Sequence, residues 1–324
     1  MNLHHLRYAL AVARNNLSVT QAAAALGTSQ PAISRALKEL ETELGLQLFA
    51  REGRVFRRVT PEGERVLQHA ARALNEVDSL TAVAADLSKD TRGTLSIATT
   101  HTQARYVLPP VIAEFRKRYP DVELHLHQGT SEQIAEMVAD DRVQLAIATG
   151  SDGLFPDLVL LPVYRWERKV IVPKRHALAA QPAISLAQLA AYPLVTYVFS
   201  FTGPSSLHEL FARDGLKPRV ALTARDSDVI KTYVRLGLGV GIIASVAVEP
   251  DADRDLVVID AARLFPVHTT WVGFRRGSLL RAYTYEFLQL FGPHLTPKLV
   301  DRAAATRESS QRGELFKRIS IPLR

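Results

Sequence analysis

Residues 18–63 read SVTQAAAALGTSQPAISRALKELETELGLQLFAREGRVFRRVTPEG and combine two short helical patterns with a glycine turn. Ser18 and Gln21 form an S-x-x-Q capping box in front of an alanine-rich helix, and Gly27 interrupts that helix. A second helix follows, with an apolar stripe made of Ile33, Leu37, Leu40 and Leu44. This arrangement is typical of a helix-turn-helix in which the second helix is the reading helix.

The outward face of the second helix carries side chains suited to nucleic acid. Glutamine and arginine can pair with base edges, while serine and lysine suit phosphates. The candidate DNA-binding residues of this helix and its N-terminus are Thr28, Ser29, Gln30, Pro31, Ser34, Arg35 and Lys38. The alternative is an ordinary helical hairpin, because polar outer faces are usually just solvated.

An arginine-rich segment after the reading helix argues against that alternative. Four arginines surround a glycine turn: Arg51, Arg54, Arg57 and Arg58. The alternating pattern predicts a β-hairpin wing beside the reading helix, and its arginines would contact phosphates or the minor groove.

The charge distribution fits a basic head on a nearly neutral body. Residues 1–60 hold eight basic and four acidic side chains, whereas residues 91–295 hold 22 and 20. The chain of 324 residues has no cysteine, which excludes thiol catalysis, disulfides and cysteine-ligated metals. The N-terminus lacks the apolar core of a signal peptide, and prolines interrupt the uncharged stretch Ala177–Leu207. We therefore expect a cytoplasmic protein with no membrane association.

Residues 60–88 are predicted to form one long helix. Thr60 is a candidate N-cap, Pro61 suits the first helical position, and acidic residues follow in the first turn. Apolar residues recur at heptad spacing: Val66, Ala70, Ala73, Val77, Leu80, Ala84 and Leu87. This spacing favours pairing with a helix of a second chain, and the alternative is a helix that packs on its own domain.

From Thr94 onward, short β-branched runs alternate with helical stretches. The predicted strands are TLSIA, VELHLH, LAIAT, LVLLPVY, KVIVP, LVTYV, RVALTA, VGIIA and LVVID. The alternation predicts an α/β fold with mainly parallel sheets, and its length favours two lobes with a ligand cleft between them.

Hydroxyl and amide side chains cluster where two predicted strands turn into helices. Thr100, Thr102 and Gln103 follow the strand TLSIA, and Thr149 ends the strand LAIAT. Thr202 follows the strand LVTYV, before a further predicted helix. Such groups, with free backbone N–H donors, can hold an anion without a cationic side chain. The alternative for any single threonine is capping or turn formation.

Residues 18–63 resemble the winged helix-turn-helix head of the LysR-type transcriptional regulators. Later segments resemble the CysB-like regulators of sulfur assimilation within that family: ATTHTQARYVLP, HQGTSEQIAEM, PLVTYVFSFTG, DSDVIKTYVRLGLGVGIIAS and GFRRGSLLRAYTYEF. The resemblance covers nearly the whole chain. It implies a regulator that binds double-stranded promoter DNA, dimerises through the linker helix, assembles as a homotetramer and responds to a small effector.

The resemblance also implies the domain organisation and the fold class, α+β/α/β with a two-lobed, periplasmic-binding-protein-like effector domain. The expected parts are a DNA-binding domain at 1–59, a linker helix at 60–90, an effector domain at 91–295 and a C-terminal helical extension at 296–324. Lobe one would comprise about 91–163 and 268–295, and lobe two about 164–267.

By the same resemblance, Thr100, Thr102, Gln103, Thr149 and Thr202 match positions at which CysB-like proteins hold sulfate. The implied effector is sulfate, thiosulfate or an O- or N-acetylserine. The chain departs from the family at Gly150 and Pro204, where Glu and Arg are common, and at Val163, where Cys is often found. A paralogue that controls sulfonate or sulfur-starvation genes is the alternative within the family.

Two other classes of function compete with a regulator. A solute-binding protein would suit the two lobes alone, but the reading helix and the missing export signal argue against it. An enzyme would need a nucleophile, a metal site or a cofactor loop. We find no pattern for a catalytic residue, a metal site or a cofactor in this sequence.

Overall fold

The computed structural model describes residues 1–53, 55–87, 92–149, 155, 158–181, 183–201 and 207–324. The chain divides into two compact units. One comprises residues 1–91 with the short segment Asp140–Arg142, and the other comprises residues 92–139 and 143–324.

The first unit begins with three helices and a hairpin. Its elements are α1 (Leu3–Arg14), α2 (Val19–Ala25), α3 (Gln30–Leu44), β1 (Phe49–Glu52), β2 (Val55–Val59) and α4 (Pro61–Leu87). The Ser18 hydroxyl accepts the amide of Gln21 at the start of α2, and the Ser29 hydroxyl accepts the amide of Ala32 at the start of α3. Gly45 ends α3 in the left-handed region, with φ at 68°.

The first unit is built around one apolar core. The stripe predicted for α3 faces inward, since Ile33, Leu37 and Leu40 are fully buried. Together with the caps and the β1–β2 pairing, this core gives the winged helix-turn-helix that the sequence predicts. The helix-turn-helix and the wing are therefore confirmed.

Helix α4 is anchored by a threonine cap. The Thr60 hydroxyl donates to the Gln47 carbonyl at 2.6 Å and accepts the Gly63 amide at 2.8 Å. Leu67, Ala70 and Leu74 of α4 are buried in the core of this unit. The first turns thus pack on their own domain, which was the alternative to pairing with a second chain.

The apolar residues predicted at heptad spacing on α4 are therefore partly buried and partly exposed. Val66, Ala70 and Val77 are buried or half-buried, whereas Ala73, Leu80 and Ala84 are exposed. The side chain of Leu87 lies outside the described set. Leu80 is 67% exposed.

The second unit holds two five-stranded sheets. Its strands are β3 (Gly93–Thr99), β4 (Val122–Gln128), β5 (Leu145–Thr149), β6 (Leu158–Trp166), β7 (Arg168–Pro173), β8 (Leu194–Tyr197), β9 (Val220–Ala224), β10 (Val240–Ala244), β11 (Leu256–Asp260) and β12 (His268–Arg275). The first sheet has the order β4-β3-β5-β12-β6, and the second has the order β11-β7-β10-β8-β9. Each sheet is the centre of one lobe.

Helices cover both sheets. They are α5 (Leu108–Arg118), α6 (Ser131–Ala139), α7 (Leu186–Ala190), α8 (Leu207–Arg213), α9 (Ser227–Arg235), α10 (Ala282–Phe291), α11 (Pro297–Ala305) and α12 (Ser309–Phe316). After α12 the chain returns to β6, where the Arg165 amide donates to the Pro322 carbonyl at 2.7 Å and the Arg324 amide donates to the Arg165 carbonyl at 2.9 Å.

Two expectations about the sheets need correction. The prediction of mainly parallel sheets is wrong for half of the pairings, since β12 is antiparallel to β5 and β6, and β7 is antiparallel to β10 and β11. The reason is the crossing between lobes, because a strand that enters from the other lobe runs against the local strands. The strand β12 was also missed, although it lies inside the first sheet.

The crossing itself lies later than expected. The chain stays in the first sheet until β6 ends at Trp166, and β7 of the second sheet starts at Arg168. The crossover expected near residue 163 therefore falls inside β6. Within the described residues, none of the helices has the length and apolar character needed to cross a membrane.

Gly63 provides a test of the junction between the wing and α4. A Cβ atom at this position would lie 2.2 Å from the backbone oxygen of Leu48. We expect Gly63→Ala to lower the free energy of unfolding of this unit by about 1–3 kcal/mol, because the backbone atoms of Leu48 can move away from the added Cβ only at a cost in free energy. Urea unfolding followed by circular dichroism measures the change.

Gly313→Ala is the matched control for this test. Gly313 lies inside α12, and a Cβ atom at this position would meet no described neighbour within 4 Å. Alanine is the better helix former, so this variant should be as stable as wild type or slightly more stable. Equal stability of Gly63→Ala and wild type would contradict the proposed close contact.

Candidate functional sites

The predicted reading helix presents a polar face. Gln30, Ser34, Arg35 and Lys38 are all exposed on α3. The Gln30 amide donates to the Thr20 hydroxyl at 2.6 Å, which ties the start of α3 to α2. At the N-terminus of α3, Ser29 and Pro31 are exposed and Thr28 is half-buried. The structure thus brings the predicted residues of this helix onto one accessible surface.

The predicted wing arginines differ in how they are held. The Arg51 guanidinium bonds the Glu41 carboxylate at 2.5 Å and lies 4.9 Å above the Phe56 ring. Arg57 bonds Glu52 at 2.7 Å, whereas Arg58 is exposed. Arg54, at the tip, lies outside the described residues. All three described arginines of the wing are therefore exposed, and Arg51 is in addition held against Glu41 of the reading helix.

Glu41 is a structural residue that the sequence analysis missed. Its Oε1 accepts the backbone amides of Leu48 and Phe49 at 2.8 and 3.3 Å, and its other oxygen bonds Arg51. One carboxylate of the reading helix therefore orients the first strand of the wing. Its position in the periodic pattern of α3 gives no local signal of this role.

The predicted hydroxyl cluster of the second unit lies where β3 and β5 end side by side. The two strands are parallel, with Thr99 opposite Ile147. The Thr99 hydroxyl is fully buried and donates to the Ile147 carbonyl at 3.1 Å. Thr100 and Thr149 follow at the strand ends, and both are half-buried.

Strand β12 completes this cluster with a threonine that the sequence analysis missed. The Thr270 hydroxyl lies 3.2 Å from the Thr149 hydroxyl and accepts the Gln103 amide at 3.4 Å. The Tyr164 hydroxyl donates to the Gln103 carbonyl oxygen, and the Trp166 indole donates to the Thr149 hydroxyl at 3.3 Å. We call Thr100, Thr102, Gln103, Thr149 and Thr270 the cradle.

The cradle approaches the second lobe at Tyr197. Thr102 lies near the Tyr197 hydroxyl, which is 2.6 Å from the Ser227 hydroxyl and accepts the Ala244 amide at 3.0 Å. Thr202, the remaining predicted residue, lies outside the described residues. The described part of the predicted set, Thr100, Thr102, Gln103 and Thr149, is thus brought together.

Burial keeps the phenols at this site protonated. It raises the pKa of Tyr164 to about 12 and also raises the pKa of the fully buried Tyr197. Both hydroxyls therefore keep their protons at neutral pH, and that of Tyr164 is donated to Gln103. The polar groups of the cradle are uncharged, so an anion placed there would be held by hydrogen bonds.

A π-helical turn at Gln103–Val107 connects the cradle to the other lobe. Arg105 forms a bidentate ion pair with Glu249 at 3.3 and 3.2 Å, and the Tyr106 hydroxyl donates to Asp228 at 2.7 Å. Burial, together with the hydrogen bond to this carboxylate, raises the pKa of Tyr106. Single π-turns often occur at functional sites, and this one carries a cradle residue and two contacts between the lobes.

One group of potential metal ligands lies near this turn. Ligand atoms of His101, Asp226 and Asp228 lie within 4.8 Å of one another. Asp226 already caps α9 by accepting the Val229 amide, and Asp228 accepts the Tyr106 hydroxyl. Both carboxylates therefore have structural roles, and we do not assign a metal to them.

A buried arginine, which sequence analysis also missed, lies at the crossing between the lobes. Arg168 is 2% exposed, and its Nε donates to His268 Nε2 at 3.2 Å while Nη1 donates to the Ser200 hydroxyl at 2.6 Å. His268 stacks on Trp166 with 4.6 Å between ring centroids. Burial, together with the nearby Arg168 charge, lowers the pKa of His268 to about 4.

Two family models match the chain. A model for the bacterial regulatory helix-turn-helix protein of the lysR family matches residues 3–64. A model for the LysR substrate binding domain matches residues 88–296. Together they include both candidate sites.

Individual relatives match over nearly the full length. The HTH-type transcriptional regulator CysB of Haemophilus influenzae is 46% identical over 99% of this chain and 99% of its own. The regulator SsuR of Burkholderia cenocepacia is 42% identical over 91% of this chain and 96% of its own. The crystal structure of the cofactor-binding domain of the Cbl transcriptional regulator covers 66% of this chain and 94% of that chain, at 41% identity and a TM-score of 0.62.

The lowered pKa of His268 predicts a pH-dependent stability. Its pKa falls from 6.5 to about 4 on folding, so the unfolded chain takes up the proton first. The stabilisation is present above pH 6.5 and is lost as the pH falls towards 4. His268→Gln keeps an acceptor for Arg168 but cannot titrate.

We expect the difference in Tm between wild type and His268→Gln to stay constant above about pH 7 and to shift in favour of the variant between pH 6.5 and 4. Thermal unfolding followed by circular dichroism at a series of pH values measures this difference. A difference that does not depend on pH would contradict the assignment.

Proposed function

The chain belongs to the LysR family of bacterial transcriptional regulators, and from this membership we propose that it controls genes of sulfur assimilation and cysteine biosynthesis in response to a small anionic effector. It is a DNA-binding regulator, and its relatives are regulators and not enzymes. The observation that carries the proposed effector response is the cradle, in which hydroxyl and amide groups from β3, β5, β12 and the π-turn converge.

The chemistry of the cradle favours a small oxyanion. Threonine hydroxyls and the Gln103 amide can each donate to an oxygen atom, and none requires a change of protonation at neutral pH. Sulfate, thiosulfate and the carboxylate of an acetylserine all offer such oxygens. We propose that Thr100, Thr102, Gln103, Thr149 and Thr202 contact the effector.

A paralogous role is the alternative. The chain is 46% identical to CysB of Haemophilus influenzae and 42% identical to SsuR of Burkholderia cenocepacia, which is too small a difference to separate their functions. In that role the chain would regulate sulfonate or sulfur-starvation genes with a different effector in the same cradle.

The proposed assembly is a homodimer through α4, with two dimers forming a homotetramer. Exposed apolar residues on α4, Ala73, Leu80 and Ala84, recur at heptad-like spacing and would be covered by the helix of a second copy. Each dimer would bring two reading helices to one promoter region. Effector binding would then act by favouring one of two tetramer forms.

The mechanism begins at contacts that join the two lobes. Gln103 of the cradle lies on the same turn as Arg105 and Tyr106, which bond Glu249 and Asp228 of the other lobe. An effector that draws Gln103 and Thr102 towards Tyr197 would therefore change how the lobes close. A preference of the effector for the closed form would shift the population of tetramers.

The DNA-binding role is tested with the exposed face of α3. We expect Arg35→Ala and Lys38→Ala each to weaken binding to a promoter fragment by about tenfold or more, since base and phosphate contacts contribute on the order of 1–3 kcal/mol each. Fluorescence anisotropy at several salt concentrations measures the affinity, which should fall steeply with salt.

Arg72→Ala is the matched control for the reading-helix variants. Arg72 is exposed on α4 and lies outside both the reading helix and the wing. The Arg72→Ala substitution removes one positive charge outside the proposed DNA-binding surface. Equal effects of all three variants would show a response to net charge alone and would contradict the assignment of α3.

The effector role is tested with Thr149. We expect Thr149→Val to weaken binding of sulfate, thiosulfate or N-acetylserine by about tenfold or more, because it removes a hydroxyl at the centre of the cradle. Isothermal titration calorimetry on the full chain measures binding of each compound and of O-acetylserine.

Thr223→Val is the control for this test, since Thr223 is exposed on β9, at the edge of the second sheet. It should bind as wild type does. Wild-type protein that binds none of the four compounds would overturn the sulfur effector, while family membership would remain.

A further inference from the structure

We propose that Arg168 is the fixed positive charge of the effector site and that it restricts the site to ligands with net negative charge. This inference rests on the proposed effector site, and it assigns to that site a residue that the predicted set does not contain. The cradle by itself discriminates by hydrogen bonding and not by charge. Arg168 would add selection by charge.

The first observation is the burial of the Arg168 guanidinium without a counterion. Arg168 is 2% exposed, and its hydrogen bonds to described residues go to His268 and Ser200. Among the described residues, no carboxylate pairs with this guanidinium. Buried arginines are normally paired with an acidic group, since an isolated charge is costly to remove from water.

The neighbours of Arg168 are held in their neutral forms. His268 accepts from Arg168 Nε, and its low pKa of about 4 leaves the ring uncharged at neutral pH. Ser200 is fully buried and lies 3.4 Å from the Thr196 hydroxyl. Burial lowers the pKa of Arg168 to about 10, so the guanidinium itself remains charged at neutral pH.

The second observation is that Arg168 is continuous with the cradle along two routes. One route passes through His268, which stacks on Trp166, whose indole donates to the Thr149 hydroxyl. The other passes through Tyr197, whose hydroxyl lies near both Arg168 and Thr102. The uncompensated charge and the proposed ligand site are therefore linked through shared neighbours, Trp166 with His268 on one route and Tyr197 on the other.

These observations point to the ligand as the missing counterion. An anion in the cradle would offset the cost of the buried charge, and low local polarity strengthens that attraction. A neutral ligand of the same shape would keep its hydrogen bonds but leave Arg168 uncompensated. A ligand that carries an ammonium group near Arg168 would be disfavoured.

The experiment compares an anionic ligand with its neutral isostere. N-acetylserine and N-acetylserinamide differ only in replacement of the carboxylate by a carboxamide, and sulfate is the second anion. Calorimetry or competition on the full chain gives the ratio of their affinities. We expect wild type to prefer N-acetylserine by about tenfold or more, since opposite unit charges within about 10 Å of each other interact by that much at an effective dielectric constant of about 20.

The first variant is Arg168→Gln, which retains donors and acceptors for Ser200 and His268 but not the charge. We expect the preference for N-acetylserine over its amide to fall towards one, with the affinity for the amide retained. Arg165→Gln is the matched control, because Arg165 is exposed on the same stretch of chain and loses the same charge. It should keep the wild-type ratio.

A second pair of variants covers the case in which Arg168→Gln does not fold. Ser200→Asp places a carboxylate beside Arg168 Nη1, which now lies 2.6 Å from the Ser200 hydroxyl, and so supplies an internal counterion. Ser200→Asn has the same shape without the charge. We expect Ser200→Asp to lose anion preference by about tenfold relative to Ser200→Asn.

The outcomes separate this inference from the function on which it rests. Suppose that wild type binds N-acetylserine and sulfate. An anion preference that is unchanged in folded Arg168→Gln, or that is the same in Ser200→Asp and Ser200→Asn, would then overturn the role of Arg168 and leave the effector site intact. Wild type that binds none of these ligands would overturn the effector site itself, and the assignment of Arg168 with it.

Discussion

The geometry of the effector domain depends on where β12 enters the first sheet. This strand pairs with β5 on one side and β6 on the other, which sets Thr270 opposite both Thr149 and Tyr164. The same register sets His268 opposite Trp166. One strand that returns from the other lobe therefore aligns the hydroxyl cluster and the environment of Arg168. A shift of one residue would turn these side chains to the opposite face of the sheet.

The polar interior of this domain combines uncharged donors with a buried arginine, Arg168, that pairs with no carboxylate among the described residues. Tyr164, Tyr197 and Gln103 are satisfied by neighbouring hydroxyl, amide and carbonyl groups, so their burial costs little. Among the described residues, the partners of Arg168 are all neutral. The proposed binding and release of a small anion would benefit from such a balance, because a permanent carboxylate partner would satisfy the charge at all times.

Local features of the chain were predictable from the sequence, while features that depend on distant pairing were not. Caps at Ser18 and Thr60 were visible because each acts within three residues of itself. Those predicted threonines that the structure describes, Thr100, Thr102 and Thr149, came together because they follow strand ends. Thr270 and Arg168 gave no such signal, since their neighbours in space lie far away along the chain. Mixed strand directions were missed for the same reason.

The π-turn at Gln103–Val107 has a consequence for how this region can vary. A π-turn holds one more residue per hydrogen-bonded ring than an α-helix, and each helical residue turns the chain by about 100°. Loss of one residue here would rotate Gln103 by that angle relative to Tyr106, so their bonds to Thr270 and Asp228 could not both form. The length of this turn is thus set by two lobes at once, and deletions or insertions in it should be rarer among homologues than substitutions on its exposed face.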